Sequence, residues 1–342
     1  MRRPQRITII DVAARAGVHA ATVSRTLNLP ERVAPETRQR VEAAVRELGF
    51  VPNRAARGLI TGRTGNVAVI VPDITNPHFA SLVRAVERTA REAELQVLLV
   101  DTGEHKEEEV RAAKSLAREV DGFIVISPRR LHRALDALGA TPAVFVNRPV
   151  PQHSSVLLRT APAVAEALHH LESNGHHALA YLGGPAASWA AGERRHAVRH
   201  TGRKSGFEVE EIVVPGPTFE AAFGTVGRVV DSGATAVVAF NDQMALGVIA
   251  GLRDRGVSVP GDISVVGFDD VPMAAMVAPP LTTISMPTDE AGTLAVDMLH
   301  LGPASRELFS TFVLRHSSGP VSRGRASVAA ARGRRASGAD RA

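Results

Sequence analysis

The side chains best suited to chemistry fall into two sets. The first is Thr8 and a run of small polar and basic residues, His19, Ala20, Ala21, Thr22, Ser24, Arg25 and Asn28, followed by Asn53, Arg54, Ala56, Arg57 and Leu59. Arginine, asparagine, serine and threonine bond phosphates and base edges, so this set suits a nucleic-acid duplex. The second set is Asp73, Ser127, Asn147, Ser188, Arg194, Asn241 and Asp269, with the aromatic Phe79, Trp189 and Phe219. Carboxylates, amides and a guanidinium beside an aromatic face suit a polyol, whose hydroxyls each donate and accept. Covalent chemistry is not indicated. There is no cysteine, no glycine-rich phosphate loop after a strand and no nucleophile elbow. His169, His170, His176 and His177 invite a metal reading, but helix neighbours point about 100° apart. No carboxylate stands at ligand spacing, and neither metal nor cofactor is expected.

The first set needs short helices to present it. Thr8 and Asp11 have capping-box spacing, and Ile9, Val12, Ala13 and Ala16 recur at helical intervals. Gly17 supplies the positive φ of a helix end. A second helix runs from Ala20 to Leu27, with Val23 and Leu27 inward and Thr22, Ser24, Arg25 and Asn28 outward. A third begins near Pro35, carries Val41, Ala44, Val45 and Leu48, and stops at Gly49. The bland alternative is a small bundle that binds nothing. Charge opposes it: residues 1–62 carry eleven arginines against five carboxylates, a balance that fits a phosphate backbone.

The second set needs parallel strands. From Gly65 the pattern alternates strand and helix: strands at 66–72, 96–100, 122–127 and 143–147, helices at 77–94, 106–119 and 131–138. A second series has helices at 163–173, 189–199, 219–231 and 243–255 and strands at 178–182, 211–214, 236–240 and 264–268. This implies a doubly wound α/β arrangement in two lobes. Thr282 to Met286 crosses back, giving a first-lobe helix at 288–301. Ligands of such sheets sit beyond the carboxyl ends of strands, which selects the second set. Each member has a structural alternative. Asp269-Asp270 is a cap, Asn241 a turn, Arg194 beside Arg195 a solvated helix face, and Phe79, Phe219 and Trp189 packing residues.

Asp11-Val12-Ala13, Ala16-Gly17-Val18, Thr22-Val23-Ser24-Arg25, Leu27-Asn28, Thr37-Arg38, Val41 and Leu48-Gly49-Phe50-Val51-Pro52-Asn53 together resemble the lactose/purine repressor (LacI/GalR) family of bacterial transcription regulators. The resemblance runs to about Ser318. It implies a helix-turn-helix headpiece followed by a periplasmic-binding-protein-like sensor. It also implies that 53–61 forms a minor-groove helix whose Leu59 wedges into a base step, beside phosphate contacts from Arg54 and Arg57. In the family, positions matching Arg194, Phe219, Asn241 and Asp269 often touch the effector. The expected mechanism is a homodimeric repressor on a palindromic operator, under a small-molecule effector that is a sugar or related polyol.

Departures modify the expectation. His19 and Ala34 stand where helix-capping serines are usual. Ala20 and Ala21 occupy base-reading positions yet meet only a thymine methyl, so specificity leans on Thr22, Arg25 and His19. Arg159 and Pro162 replace an aspartate and a glycine at the entrance to the second lobe, and Asn147 replaces a common aspartate. A cationic Arg159 on the effector wall predicts a different polyol or a ligand bearing negative charge.

The organisation expected is a headpiece at 1–52, a hinge at 53–62, an effector-binding domain at 63–318 and a basic, disordered tail at 319–342. The first lobe takes 63–160 and 286–308, the second 161–285 and 309–318. The tail has six arginines against one aspartate and no leucine, so no heptad helix is expected there. With no apolar run of signal-peptide kind and none of membrane length, the protein is expected in the cytoplasm, away from membranes. The rival reading is a small-molecule-binding α/β protein or enzyme without sequence-specific DNA binding.

Overall fold

The computed structural model describes residues 7–50 and 63–321. The hinge residues Asn53, Arg54, Ala56, Arg57 and Leu59, and the chain from 322 onward, lie outside the described residues. The chain divides into two compact units, Met1–Thr64 and Gly65–Ala342.

The first unit is helical. α1 (Ile9–Ala16) opens with a complete capping box: the Thr8 hydroxyl accepts from the Asp11 amide, and the Asp11 carboxylate accepts from the Thr8 amide at 2.7 Å. These bonds hold the Asp11 carboxyl below its ordinary value. Gly17, at φ 68°, ends the helix and turns the chain. α2 (Ala20–Asn28), a short 3-10 turn (Pro30–Arg32) and α3 (Pro35–Leu48) follow. Val12, Ala13, Ala16, Val23, Val41 and Ala44 are buried together. Arg15 ties α1 to Glu47 of α3 at 2.6 Å.

The second unit has two parallel sheets. Its first elements are β1 (Asn66–Val71), α4 (Pro77–Glu92), β2 (Gln96–Asp101), α5 (Lys106–Leu116), β3 (Gly122–Ile126), α6 (Leu131–Leu138), β4 (Ala143–Val146) and β5 (Ser154–Arg159). The chain crosses into α7 (Ala161–Ser173), β6 (Ala178–Leu182), α8 (Trp189–Lys204), β7 (Glu208–Ile212), α9 (Phe219–Asp231), β8 (Ala236–Ala239), α10 (Asp242–Asp254), β9 (Ser264–Val266) and α11 (Pro272–Met276). It returns through β10 (Thr283–Ser285) to α12 (Thr288–Asp297), a 3-10 turn (Met298–His300) and β11 (Ser305–Phe309), and comes back as β12 (Thr311–Val313). Lobe one has the strand order β11-β5-β4-β3-β1-β2, and lobe two β7-β6-β8-β9. β10 and β12 pair antiparallel where the chain passes between them. One apolar cluster spans both lobes, joining Val69, Leu82 and Ile126 to Leu171, Tyr181 and Phe268.

The structure differs from the sequence reading at sheet margins and at the internal strand β5. β5, β11 and β12 were not expected. β11 is an edge strand whose Ser305, Arg306, Glu307 and Phe309 are exposed, so it carries no apolar run. β7 lies three residues ahead of the expected 211–214, because Val213 is 71% exposed while the charged run before it pairs with β6. The helix expected at 288–301 ends at Asp297 and finishes as a 3-10 turn. The start of the expected tail is fixed: the Gly319 amide donates to Ser264 and the Val321 amide to the Asn174 carbonyl.

Candidate functional site

In the first unit, His19, Ala21, Arg25 and Asn28 are exposed, and Ala20, Thr22 and Ser24 are half-buried. Val23 and Thr26 face the core. Asn28 is partly engaged already, its amide donating to the Ser24 carbonyl at 2.9 Å. The side chain of Thr8 is committed to its cap. Neither His19 nor Ala34 makes a side-chain cap, although both hold extended backbone before a helix. What remains is a short exposed helix edge with one arginine and little steric bulk, a shape that enters a groove closely.

The second unit gathers its polar residues at strand ends. After β1, Asp73 accepts from the Thr75 amide and hydroxyl, at 2.8 and 2.6 Å, and Asn76 caps α4 by accepting from His78 N at 3.0 Å. That cap turns His78 and Phe79 inward. After β3, Ser127 takes a φ of 47°, and after β4, Asn147 takes 60°. Their side chains meet at 3.4 Å. Arg129 is nearly buried and held from three sides. Its Nε and Nη2 donate to Glu104 at 2.7 Å each, its Nη1 donates to the Ser127 carbonyl, and its amide donates to Glu109.

From lobe two, Ser188 caps α8. On the inner face of that helix, Arg194 is 3% exposed. Its Nη2 donates to Asp269 at 2.8 Å and its Nη1 to the Phe240 carbonyl at 2.5 Å. The guanidinium lies 4.9 Å from the Phe240 ring and 4.6 Å from that of Phe268. Asn241 caps α10 and donates to the Pro217 carbonyl at 2.9 Å. His78 Nδ1 lies 3.7 Å from Asp269. Desolvation lowers the proton affinity of His78, and nearby Arg194 adds to this against the pull of Asp269. His78 Nδ1 and Arg194 Nε have no hydrogen-bond partner among the described residues.

These groups line a cavity of about 30 Å³, the space of a single water. Eight of the ten residues expected from sequence line it: Asp73, Phe79, Ser127, Asn147, Ser188, Arg194, Asn241 and Asp269. Trp189 and Phe219 do not. Trp189 is 37% exposed beneath Arg148, and Phe219 stacks on Phe223 at 6.2 Å. Arg159 is also elsewhere: it pairs with Glu307 at 2.5 Å and approaches Glu193 at 4.0 Å, so the expected cationic wall is absent among the described residues lining the cavity. Asp270 is drawn away by Arg315. The sequence reading missed Asn76, His78, Glu104, Arg129 and Phe240. Glu104, Arg129 and Phe240 lie within three residues of a strand end, where a slightly wider search would reach them, whereas Asn76 and His78 sit at the start of the following helix. A wider groove of about 540 Å³ adjoins the cavity, sharing Glu104, Arg129 and Pro217 and adding Lys106, Arg195, Glu211 and the loops at 183–187 and 213–216.

Two of the four histidines hold structural contacts, and His169 and His177 are exposed. His176 is buried, its Nδ1 at 3.0 Å from the Thr235 hydroxyl and its Nε2 at 2.9 Å from the Gly319 carbonyl. His170 meets Ser318 at 3.0 Å. No cluster of three or more ligating side chains occurs among the described residues, and no described helix is long and apolar enough to cross a membrane.

Comparison with known proteins agrees with this arrangement. Residues 8–53 match "Bacterial regulatory proteins, lacI family", and residues 168–318 match "Periplasmic binding protein-like domain". The HTH-type transcriptional regulator DegA of Bacillus subtilis (strain 168) is 32% identical over 83% of this chain and 88% of that protein. The lac repressor dimer bound to operator and the anti-inducer ONPF superposes with a TM-score of 0.84 at 27% identity, covering 92% of this chain and all of that one. The complex of the transcriptional regulator CelR with cellobiose gives 0.68 at 30% identity, with the same coverage. On these similarities the chain belongs to the lacI family of bacterial regulatory proteins, and it is a DNA-binding transcriptional regulator rather than an enzyme.

Proposed function

We propose that the protein is a repressor that binds a palindromic operator as a homodimer, and that a neutral sugar or related polyol in the cavity between the lobes controls it. The observation that carries the effector reading is the buried Arg194–Asp269 pair beside Asn241, Asn147 and Ser127. Both arginines of the lining already face a carboxylate, Arg194 with Asp269 and Arg129 with Glu104. An anionic ligand would compete with those carboxylates, whereas hydroxyls can insert between charges and use the unpartnered His78 Nδ1 and Arg194 Nε. The cavity is smaller than a sugar, so binding requires the lobes to part, which supplies the difference between states that regulation needs. The lac repressor dimer on its operator and the CelR–cellobiose complex are precedents for dimer, operator and sugar. His19, Ala20, Ala21, Thr22, Ser24, Arg25 and Asn28 are the proposed DNA-facing residues, with Asn53, Arg54, Ala56, Arg57 and Leu59 as the hinge contacts. The work is done in the cytoplasm.

The test is selection of genomic fragments by the purified protein at low and physiological salt, with Arg25→Ala beside it. A recovered palindrome that Arg25→Ala loses supports the reading. Uniform binding that vanishes at physiological salt refutes it, since that is counterion release alone. Adding neutral sugars and sugar acids to the recovered palindrome then identifies the effector class, and release by acids only would reject the neutral-polyol assignment.

A further inference from the structure

Arg148 and Trp189 meet across the cleft, outside the cavity. Arg148 follows β4 in lobe one, two residues beyond Val146. Trp189 is the first residue of α8 in lobe two. The guanidinium carbon lies 5.1 Å from the indole centroid. Neither residue lines the cavity, so neither is placed to touch a ligand there.

The two ends of this contact are anchored differently. Trp189 is fixed by the Ser188 cap, whose hydroxyl accepts from the Ala191 amide at 3.2 Å. On the lobe-one side, Glu109 is 3% exposed and accepts from the Arg129 and Arg130 amides. Its carboxylate favours the Arg148 cation, while burial pushes both groups toward their neutral forms. Arg148 leaves β4 two residues beyond Val146, so its backbone belongs to lobe one and it reaches lobe two only while the lobes are together. A cation over an indole face is attracted only within about 6 Å, so parting the lobes by a few ångströms ends the contact. The other pairs between the lobes are weaker candidates for holding them. Arg159 and Glu193 are 4.0 Å apart and 37% and 47% exposed, so solvent screens them. His78 faces Asp269 at 3.7 Å in a form that burial keeps neutral.

We infer that Arg148 and Trp189 form a closure latch, in which an arginine of lobe one clasps the indole of lobe two and biases the lobes toward the closed arrangement. Its regulatory consequence rests on the cleft being the effector site, but the contact itself is testable without effector or DNA. Trp189 is the only tryptophan of the chain, so emission excited beyond the absorption of the single tyrosine reports on this indole alone.

The experiment compares full-length wild type, Arg148→Ala and Arg148→Lys by tryptophan emission, acrylamide quenching and small-angle scattering, with far-ultraviolet dichroism as the check on folding. Loss of a contact of this kind shifts the closed-to-open ratio by about fivefold. Arg148→Ala is expected to move the emission to the red, raise quenching severalfold and enlarge the radius of gyration. Arg148→Lys, which keeps the cation, is expected to fall between. Unchanged emission and quenching in Arg148→Ala overturn the latch. So does a change in emission with an unaltered radius of gyration, which would mean that the arginine only shades the ring. If Arg148→Ala does not fold, Arg148→Lys decides: a partial shift in all three readings supports the latch, and none overturns it. A failure of these readings leaves operator selection untouched, so the two proposals fail separately.

Discussion

Arg194 shows how much one residue type concedes to its surroundings. A guanidinium in a protein interior is tolerated only when its charge and donors are met. Here Asp269 and the Phe240 carbonyl meet two of its nitrogens, and two phenylalanine rings cover its faces. Asp269→Asn leaves that charge uncompensated, and we expect a loss of about 3 kcal/mol in chemical unfolding. His78 makes the complementary prediction. Its affinity for protons is below the usual value of 6.5 because burial disfavours the cation. The unfolded chain therefore binds the extra proton, and stability falls as pH drops beneath 6.5 toward the folded value. Wild type should lose up to about 1.4 kcal/mol per pH unit more than His78→Gln over that window. Parallel pH dependences in the two proteins would remove His78 as the cause. Arg194 was legible through the family resemblance rather than through strand-end geometry, since it lies inside α8, well beyond the end of β6. His78 was not, since a single histidine near a proline has no periodic partner, and its burial follows from the Asn76 cap. Arg159 misled because charge alone does not say which way a side chain turns, and Glu307 lies 148 positions away in sequence.

Among the elements, helix ends and close approaches decide the outcome. Ala34 has the extended backbone of an N-cap but no oxygen to offer. Ala34→Ser should therefore stabilise the headpiece by about 0.5–1 kcal/mol in thermal unfolding, with operator binding retained. α9 and α10 approach through glycine. A Cβ on Gly247 would stand 2.2 Å from the Phe219 carbonyl oxygen, and one on Gly251 would stand 2.7 Å from a Val226 methyl. Gly247→Ala should cost about 1–3 kcal/mol by forcing the helices apart, and equal stability would show that they have room to slide. Helices were read well from sequence because their apolar spacing is long and repeated. Central strands were read for their unbroken valine and isoleucine. Edge strands failed for a physical reason. β7 and β11 have one wet face and one unpaired side, so charged residues such as Glu210 and Arg306 serve them better than apolar ones.

At the scale of the whole molecule, two units with separate cores predict two events on heating. The headpiece core comprises Val12, Ala13, Ala16, Val23, Val41, Ala44 and a few half-buried neighbours, and domains of that size are marginal. Calorimetry of the DNA-free protein should show a small early transition followed by a large one, and a single cooperative peak would contradict this. The two-lobed plan was legible from the alternation of strands and helices. The return of the chain to the first lobe and back was assigned as well, but the strands β11 and β12 that make it were not read, because nothing local marks a strand whose neighbours are distant. That return has a consequence for synthesis. β11 lies beside β5, pairing Ser305 with Ser155 and Phe309 with Arg159, yet most of lobe two is translated between them. While the ribosome makes residues 160–304, the growing sheet of lobe one waits with the flank of β5 bare. The headpiece can fold as it emerges, but the sensor is completed only by its last strands. A nascent chain stalled before Ser305 therefore presents an unpaired sheet edge, the feature that chaperones bind and that aggregates grow from.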